Sequence, residues 1–159
     1  PLLKKSTAFL MTVHFSGLWT FQDQENVLPM IDYHRMRVLC RLGCIIVTDQ
    51  GLLARLTRQE PVSSAEEESI RAAALEVCRE VVQRSGLAMF DFDVLLWAHA
   101  RSCCRHSPVC AGGSPENDSF YNYITIPFRG KCEFQAWCPG SISKDQRSIW
   151  EPMIPTEHY

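Results

Sequence analysis

Two closely spaced pairs of cysteines constrain this 159-residue chain more than any other feature. Cys103 and Cys110 are separated by six residues, Cys132 and Cys138 by five, and 21 residues lie between the pairs. If the intervening loop brings the pairs together, four thiolates meet at one place. Thiolates are soft ligands that suit zinc or an iron–sulfur cluster. The spacing therefore predicts a four-cysteine metal or iron–sulfur site.

The other cysteines are interpreted by their surroundings. Cys104 is a fifth thiol in the same 36 residues, whereas Cys40, Cys44 and Cys78 fall in helix-like patterns, where a small buried thiol is expected. A disulfide framework is disfavoured because the cysteines cluster and no signal peptide is seen. We expect reduced cysteines and an intracellular protein, either cytoplasmic or nuclear.

The rest of the chain predicts a mainly α fold. Apolar periodicity predicts helices over residues 2–15, 31–42, 65–85 and 92–102, with a short helix inside 45–58. Asp32 and Asp91 are the expected N-caps of the second and last of the four main helices. Ser63 and Glu66 form a capping-box signature, and Gly43 and Gly86 stand where helices should end.

Charge and hydropathy restrict the partners. The formal net charge is -2, so the chain as a whole lacks the positive charge typical of nucleic-acid-binding proteins. This net charge is compatible with a local basic patch. No apolar run reaches the length of a transmembrane helix, so we expect no membrane partner.

The order of these motifs resembles the helix-hairpin-helix DNA glycosylase superfamily, in its endonuclease III and adenine glycosylase branch. The stretch from Ile31 to Val38 reads apolar-Asp-x-His-x-x-Arg-Val, and the stretch from Lys4 to Ala8 lies where that family has a Lys-Thr-Ala segment. The family's cysteine order is Cys-x6-Cys-x2-Cys-x5-Cys; this chain keeps the outer spacings and has 21 residues in the middle. The segments 28–42 and 86–104 are also similar to the archaeal 8-oxoguanine glycosylase branch.

The resemblance implies a DNA repair enzyme, a glycosylase with hydrolase or lyase activity that removes a damaged base, such as an oxidised guanine, from duplex DNA. Lys5 would be the nucleophile that attacks C1′ of the sugar, and Asp32 would stabilise the positive charge that develops there. The target nucleotide must first leave the base stack.

The resemblance also implies a 4Fe-4S cluster, with zinc as the alternative. Counting back from Pro108 makes Cys103 the first ligand, whereas counting forward from His99 favours Cys104; Cys110, Cys132 and Cys138 complete either set. The site would support a loop whose basic groups meet DNA phosphates, here Arg101, Arg105, Arg129 and Lys131.

We therefore divide the chain into residues 1–102, the C-terminal part of a glycosylase-like helical domain, and residues 103–159, a cysteine-cluster loop with an irregular tail. The family's N-terminal lobe has no counterpart after Pro1, so we expect a missing lobe or a second protein chain to complete the domain. The alternative function is a non-catalytic module for nucleic-acid binding or complex assembly, with a structural metal or iron–sulfur site.

Overall fold

The computed structural model describes residues 4–23, 26–114 and 131–155. These residues are mainly helical and contain no β-strand, which confirms the expected mainly α class. The α-helices are α1 (Lys4–Phe15), α2 (Tyr33–Arg41), α3 (Gln50–Arg58), α4 (Ser64–Ser85), α5 (Met89–Ser102), α6 (Pro139–Ile142) and α7 (Lys144–Ser148). A short 3-10 helix covers Val109–Ala111.

Helix α2 lies at the centre of the fold and contacts α4, α5 and α7. All seven residues from Arg35 to Arg41 are buried. As predicted, the side chain of Asp32 caps the helix by accepting a hydrogen bond from the Arg35 backbone N–H. Gly43 follows the helix with a φ of +74°, a conformation that glycine adopts without strain.

Three buried arginines on α2 require compensation, because an unpaired buried charge is costly. Arg35 pairs with Asp93 of α5 at 2.6 Å and with the capping aspartate at 3.1 Å. Arg37 pairs with Glu151 at 2.5 Å. Arg41 donates to the backbone carbonyls of residues 105 and 149. The three guanidinium groups thereby tie the central helix to α5 and to residues 149–155, which we call the C-terminal segment.

The local helix signals predict α4 well. Ser63 and Glu66 form the expected capping box, and Gly86 ends the helix in the left-handed conformation. Ile70, Ala74 and Cys78 lie on its buried face, with the four-residue spacing of one helical stripe.

The prediction that Asp91 caps the next helix is wrong. Helix α5 begins at Met89, its N-cap is Ala88, and no side chain caps it. The reason is tertiary, since Phe90 is buried and its ring packs against that of His14 in α1, 4.9 Å between centroids. Burial of this first turn extends the helix beyond the residue with capping chemistry.

The C-terminal segment packs on the helical portion. Ile149 is buried in the hydrophobic core, and the Val62 N–H donates to the carbonyl of Met153. Helix α5 ends at Ser102, where we place the boundary between the two portions of the chain. That division stays a prediction.

Two of the three N-terminal cysteines are buried as predicted, Cys40 and Cys78. The prediction is wrong for Cys44, which follows the end of α2 and is exposed.

Candidate metal centre

Five cysteines line one cavity, which holds about 340 Å³ of space, including its opening to solvent. They come from three places in the chain: the end of α5, the 3-10 helix and the segment before α6. They are Cys103, Cys104, Cys110, Cys132 and Cys138. The structure therefore brings together every cysteine that the sequence selects for the metal site.

The end of α5 positions Cys103 and Cys104. The backbone N–H groups of Cys103 and Cys104 both donate to the carbonyl of His99, at 2.8 and 3.1 Å. The chain then turns back, and the Val109 N–H donates to the carbonyl of Cys103. A Cβ atom on Gly113 would lie 2.0 Å from the carbonyl oxygen of Ser107, so only glycine permits this close return.

The second pair is held by a turn and by α2. The Cys138 N–H donates to the carbonyl of Phe134 at 2.8 Å, which closes the turn that begins at Cys132. The Cys138 thiol donates to the carbonyl of Arg41 at 3.5 Å. Gly140 packs directly on α2, since a Cβ there would lie 3.0 Å from the same carbonyl oxygen.

Burial makes two thiols of this cavity, those of Cys110 and Cys132, hard to ionise. It raises the pKa of Cys132 to about 12, and it raises the pKa of Cys110, with neighbouring thiols adding to both effects. These thiols therefore stay protonated near neutral pH unless a cation stabilises their thiolates.

Two cationic side chains and one neutral histidine border the thiols. Arg41 Nη1 lies 3.7 Å from the Sγ of Cys104, and Arg147 also lines the cavity. His99 Nε2 lies 3.7 Å from the Sγ of Cys132, and burial lowers the pKa of His99 to about 4. His99 is therefore neutral near pH 7.

The donor set fits a thiolate-bound metal, but the sulfur positions do not form a compact site for one ion. All eight cysteines are free thiols. Across residues 4–23, 26–114 and 131–155, no three His, Cys, Asp or Glu side chains are arranged to hold a metal ion. A tetrahedral zinc needs four sulfurs each about 2.3 Å from it. Thiolates suit zinc and iron–sulfur clusters alike.

A basic face lies next to the cysteine cavity. We use this name for Arg37, Arg41, Arg101, Arg105, Lys144 and Arg147 around Trp150. They line two adjacent grooves that share Trp150, His106 and Ser107. Glu151 is the acidic residue in these grooves, and it pairs with Arg37. A chain with a net charge of -2 thus concentrates positive charge beside its cysteines.

Trp150 organises this face. The guanidinium carbons of Arg37 and Arg41 lie 4.8 and 5.1 Å from its ring centroid, within range of cation–π contact. The ring of His106 packs edge-on against it at 5.1 Å. The sequence predicts Arg101 and Arg105 as basic groups that meet DNA phosphates, and only the structure adds the other members of the face.

The predicted catalytic residues occupy different surroundings. Lys5 is the second residue of α1 and is exposed. Asp32 is 7% exposed, and both of its carboxylate oxygens face Arg35: Oδ1 accepts from the backbone N–H, and Oδ2 lies 3.1 Å from Nη1. No ion pair joins Lys5 to Asp32 within the described part of the chain. Their catalytic roles stay predictions.

Of the other predicted basic groups, Lys131 is exposed, and Arg129 lies outside the described residues. No protein-family model, curated protein or solved structure matches this chain. The described residues contain no helix that is both long and apolar enough to cross a membrane.

Proposed function

We propose that this protein binds nucleic acid through the basic face and that the five-cysteine cavity behind it is a structural metal or iron–sulfur centre of a helix-hairpin-helix glycosylase-like domain. The observation that carries the proposal is the juxtaposition of the two features. Cys104 illustrates it, because its backbone carbonyl accepts from Arg37 and its sulfur lies beside Arg41.

The chemistry of the centre follows from its ligands. Cys110, Cys132 and Cys138 would hold the metal or cluster together with Cys103 or Cys104. A bound 4Fe-4S cluster, or zinc in the alternative, would cross-link the end of α5 to the segment before α6. Arg41 and Arg147 would offset part of the negative charge of the thiolates.

Analysis of anaerobically purified protein for iron, sulfide and zinc, with visible absorption spectra, tests the centre. Cys103→Ser and Cys104→Ser are compared with Cys78→Ala, which removes a buried thiol on α4. The true ligand is the position at which serine lowers the metal content, and Cys78→Ala should leave it unchanged. The centre would be refuted if the protein carries neither iron nor zinc after anaerobic purification and still carries neither after reconstitution with iron and sulfide.

The salt dependence of DNA binding tests the basic face. Loss of one phosphate contact reduces the magnitude of the slope of log K against log salt concentration by about one. We expect Arg105→Gln and Lys144→Gln to weaken binding of a fluorescent duplex and to flatten this slope. Arg84→Gln on the exposed face of α4 is the matched control. Equal slopes in all four proteins would contradict the assignment.

Base excision is the second candidate, and one feature of α1 favours it. Lys5 lies one and two turns before Ala8 and Thr12, on their side of the helix, and both of these line a large cavity between α1 and α5. A neutral Lys5 amine would attack C1′ as the base departs, giving a Schiff base with the opened sugar. Asp32 would stabilise the developing charge.

Borohydride trapping tests this chemistry, since it reduces the Schiff base to a stable amine and links protein to DNA. Trapping on duplexes with oxidised guanine should succeed for the wild type and fail for Lys5→Ala. Lys4→Ala is the matched control and should still be trapped. If Lys4→Ala loses trapping and Lys5→Ala keeps it, Lys5 is not the nucleophile. If none of the damaged duplexes gives a trapped protein–DNA complex and none releases a base, base excision is excluded.

A further inference from the structure

One of the two grooves of the basic face, which we call the first groove, contains a histidine between two arginines. The groove encloses about 790 Å³, including its opening to solvent, and its lining includes His34 of α2 and Arg101 of α5. Nδ1 of His34 lies 3.2 Å from Arg37 Nη2, and Nε2 lies 3.1 Å from Arg101 Nη1. A guanidinium group only donates hydrogen bonds, so each contact needs an acceptor on the ring.

The neutral ring of His34 has only one acceptor. Burial lowers the pKa of His34 to about 4. The guanidinium groups of Arg37 and Arg101 also lower this pKa, whereas the Asp32 carboxylate opposes them. Near pH 7 one ring nitrogen therefore accepts and the other carries a proton. One of the two arginine contacts must then bring two N–H groups together.

The burial of Arg37 decides which contact this is. Arg37 is 3% exposed, and its guanidinium group also donates to Glu151 and to two backbone carbonyls. A buried N–H group without an acceptor is costly, so Nδ1 of His34 accepts from Arg37. The ring proton therefore lies on Nε2, and it meets the Nη1–H of Arg101 in the half-buried wall of the groove. Two donors at this separation suit one oxygen atom that accepts from both.

The charges of the first groove determine which oxygen compound fits. Among the described residues that line it, three arginines and one carboxylate leave two positive charges in excess; these residues are Arg37, Arg101, Arg105 and Glu151. A phosphate monoester carries about 1.5 to 2 negative charges near neutral pH, whereas a phosphodiester within a strand carries one. The excess therefore matches a monoester, which a nucleic-acid strand carries only at its end.

The other groove, which we call the second groove, gives the rest of such a strand a path. It is lined by Lys144 and Arg147, and it meets the first groove at Trp150. A strand whose end lies beside His34 can therefore continue past this ring to further cationic groups.

We propose that the first groove binds the terminal phosphate monoester of a nucleic-acid strand, and that His34 Nε2 and Arg101 Nη1 donate to one of its oxygens. Internal phosphates of the same strand meet Lys144 and Arg147 in the second groove. The inference rests on the proposed nucleic-acid binding, because it names the phosphate that the basic face selects.

One duplex prepared with three kinds of end tests the proposal. The ends carry a 5′-phosphate, a 3′-phosphate or hydroxyl groups alone, and a fluorophore is attached at an internal position. Fluorescence anisotropy should show that the wild-type protein binds one of the phosphorylated forms at least about tenfold more tightly than the hydroxyl form, as two charge-assisted hydrogen bonds predict. Equal affinities for the three duplexes would overturn the inference.

Matched variants in the two grooves separate end recognition from general attraction. Arg101→Gln should remove the preference for the phosphorylated end, because it removes a charged donor from the first groove. Lys144→Gln in the second groove should weaken all three duplexes by similar factors and keep the preference. A preference that survives Arg101→Gln would place the terminal phosphate elsewhere.

His34→Asn tests the histidine donor. The amide oxygen of asparagine can replace Nδ1 as the acceptor for Arg37, whereas the Nε2–H donor is lost. The preference should fall at least about threefold, and an unchanged preference would refute the role of His34. If this variant does not fold, Arg101→Gln still decides the proposal.

Free phosphates identify the source of the ligand and separate this inference from the proposed function. If deoxyadenosine monophosphate binds as tightly as the phosphorylated duplex, the groove takes free nucleotides and the inference is overturned. If the three duplexes bind equally with the salt dependence described above, this inference alone fails. If no duplex binds, but calorimetry detects binding of inorganic phosphate that Arg101→Gln removes, the proposed nucleic-acid binding fails and the phosphate site is supported.

Discussion

Replacing Arg37 by Met should destabilise the protein strongly, because Arg37 joins three parts of the fold. Its guanidinium group donates to Glu151 at 2.5 Å, to the carbonyl of Cys104 at 2.9 Å and to the carbonyl of Ala100 at 3.1 Å. The Arg37 and Glu151 side chains are only 4% and 12% exposed. Met fills a comparable volume, so the loss arises from the abandoned partners and not from a cavity.

The magnitude follows from the burial of those partners. Removing one member of a buried ion pair costs about 3–5 kcal/mol. Glu151 lies in the C-terminal segment and keeps some exposure, so the lower end of this range applies, about 3 kcal/mol. With a urea m-value of about 2 kcal/mol per molar, the unfolding midpoint should fall by roughly 1.5 M.

Tryptophan fluorescence during urea unfolding measures this change, with both proteins in the same metal-loaded state. Arg84→Met is the matched control, since Arg84 forms its ion pair with Glu80 on the exposed surface of α4, and it should lose no more than about 0.5 kcal/mol. In the double variant Arg37→Met/Glu151→Leu, part of the lost stability should return, because no carboxylate is left unpaired. A midpoint shift in Arg37→Met no larger than that of the control would refute the reasoning.

Three further predictions concern a cap, a close contact and a titration. Ser63→Ala removes the acceptor for the Glu66 N–H and should cost about 1 kcal/mol in urea unfolding, whereas Ser63→Thr should retain most of the cap; equal losses would contradict the capping role. Gly140→Ala forces a Cβ to within 3.0 Å of the Arg41 carbonyl oxygen and should cost about 1–3 kcal/mol, so an unchanged urea midpoint would argue against this packing. Burial lowers the pKa of His34 from 6.5 to about 4, so its contribution to stability is present above pH 6.5 and is lost as the pH falls toward 4. As the pH falls from 7.5 to 4, the urea midpoint should decline less steeply for His34→Gln than for the wild type. Parallel curves for the two proteins would contradict this role of His34.

The elements that the sequence predicts well are those whose stabilising contacts are local. The bounds of α4 follow from a capping box four residues long and from a glycine at its end. The cap of α2 is likewise a contact between Asp32 and a backbone N–H three residues away. Such contacts depend on the residues present and on helix geometry alone, so they can be inferred from the order of the side chains.

The start of α5 depends instead on a tertiary contact. Asp91 has the chemistry of a cap, yet the helix includes it, because burial of Phe90 against α1 outweighs the local preference. Similarly, the apolar pattern around Cys44 suggests burial, but the chain leaves α2 there and exposes the thiol.

For the candidate centre, the cysteine spacing predicts Cys103, Cys110, Cys132 and Cys138, with Cys104 as the alternative to Cys103, and all five line the cavity. Only the tertiary structure placed Arg41 and His99 beside those thiols and gathered the basic face around Trp150. The Arg37–Glu151 contact, for example, joins residues 114 positions apart. Spacing along the chain reports on groups that one turn or one helix brings together, whereas contacts of this length depend on how buried surfaces pack, and that is decided by the whole fold.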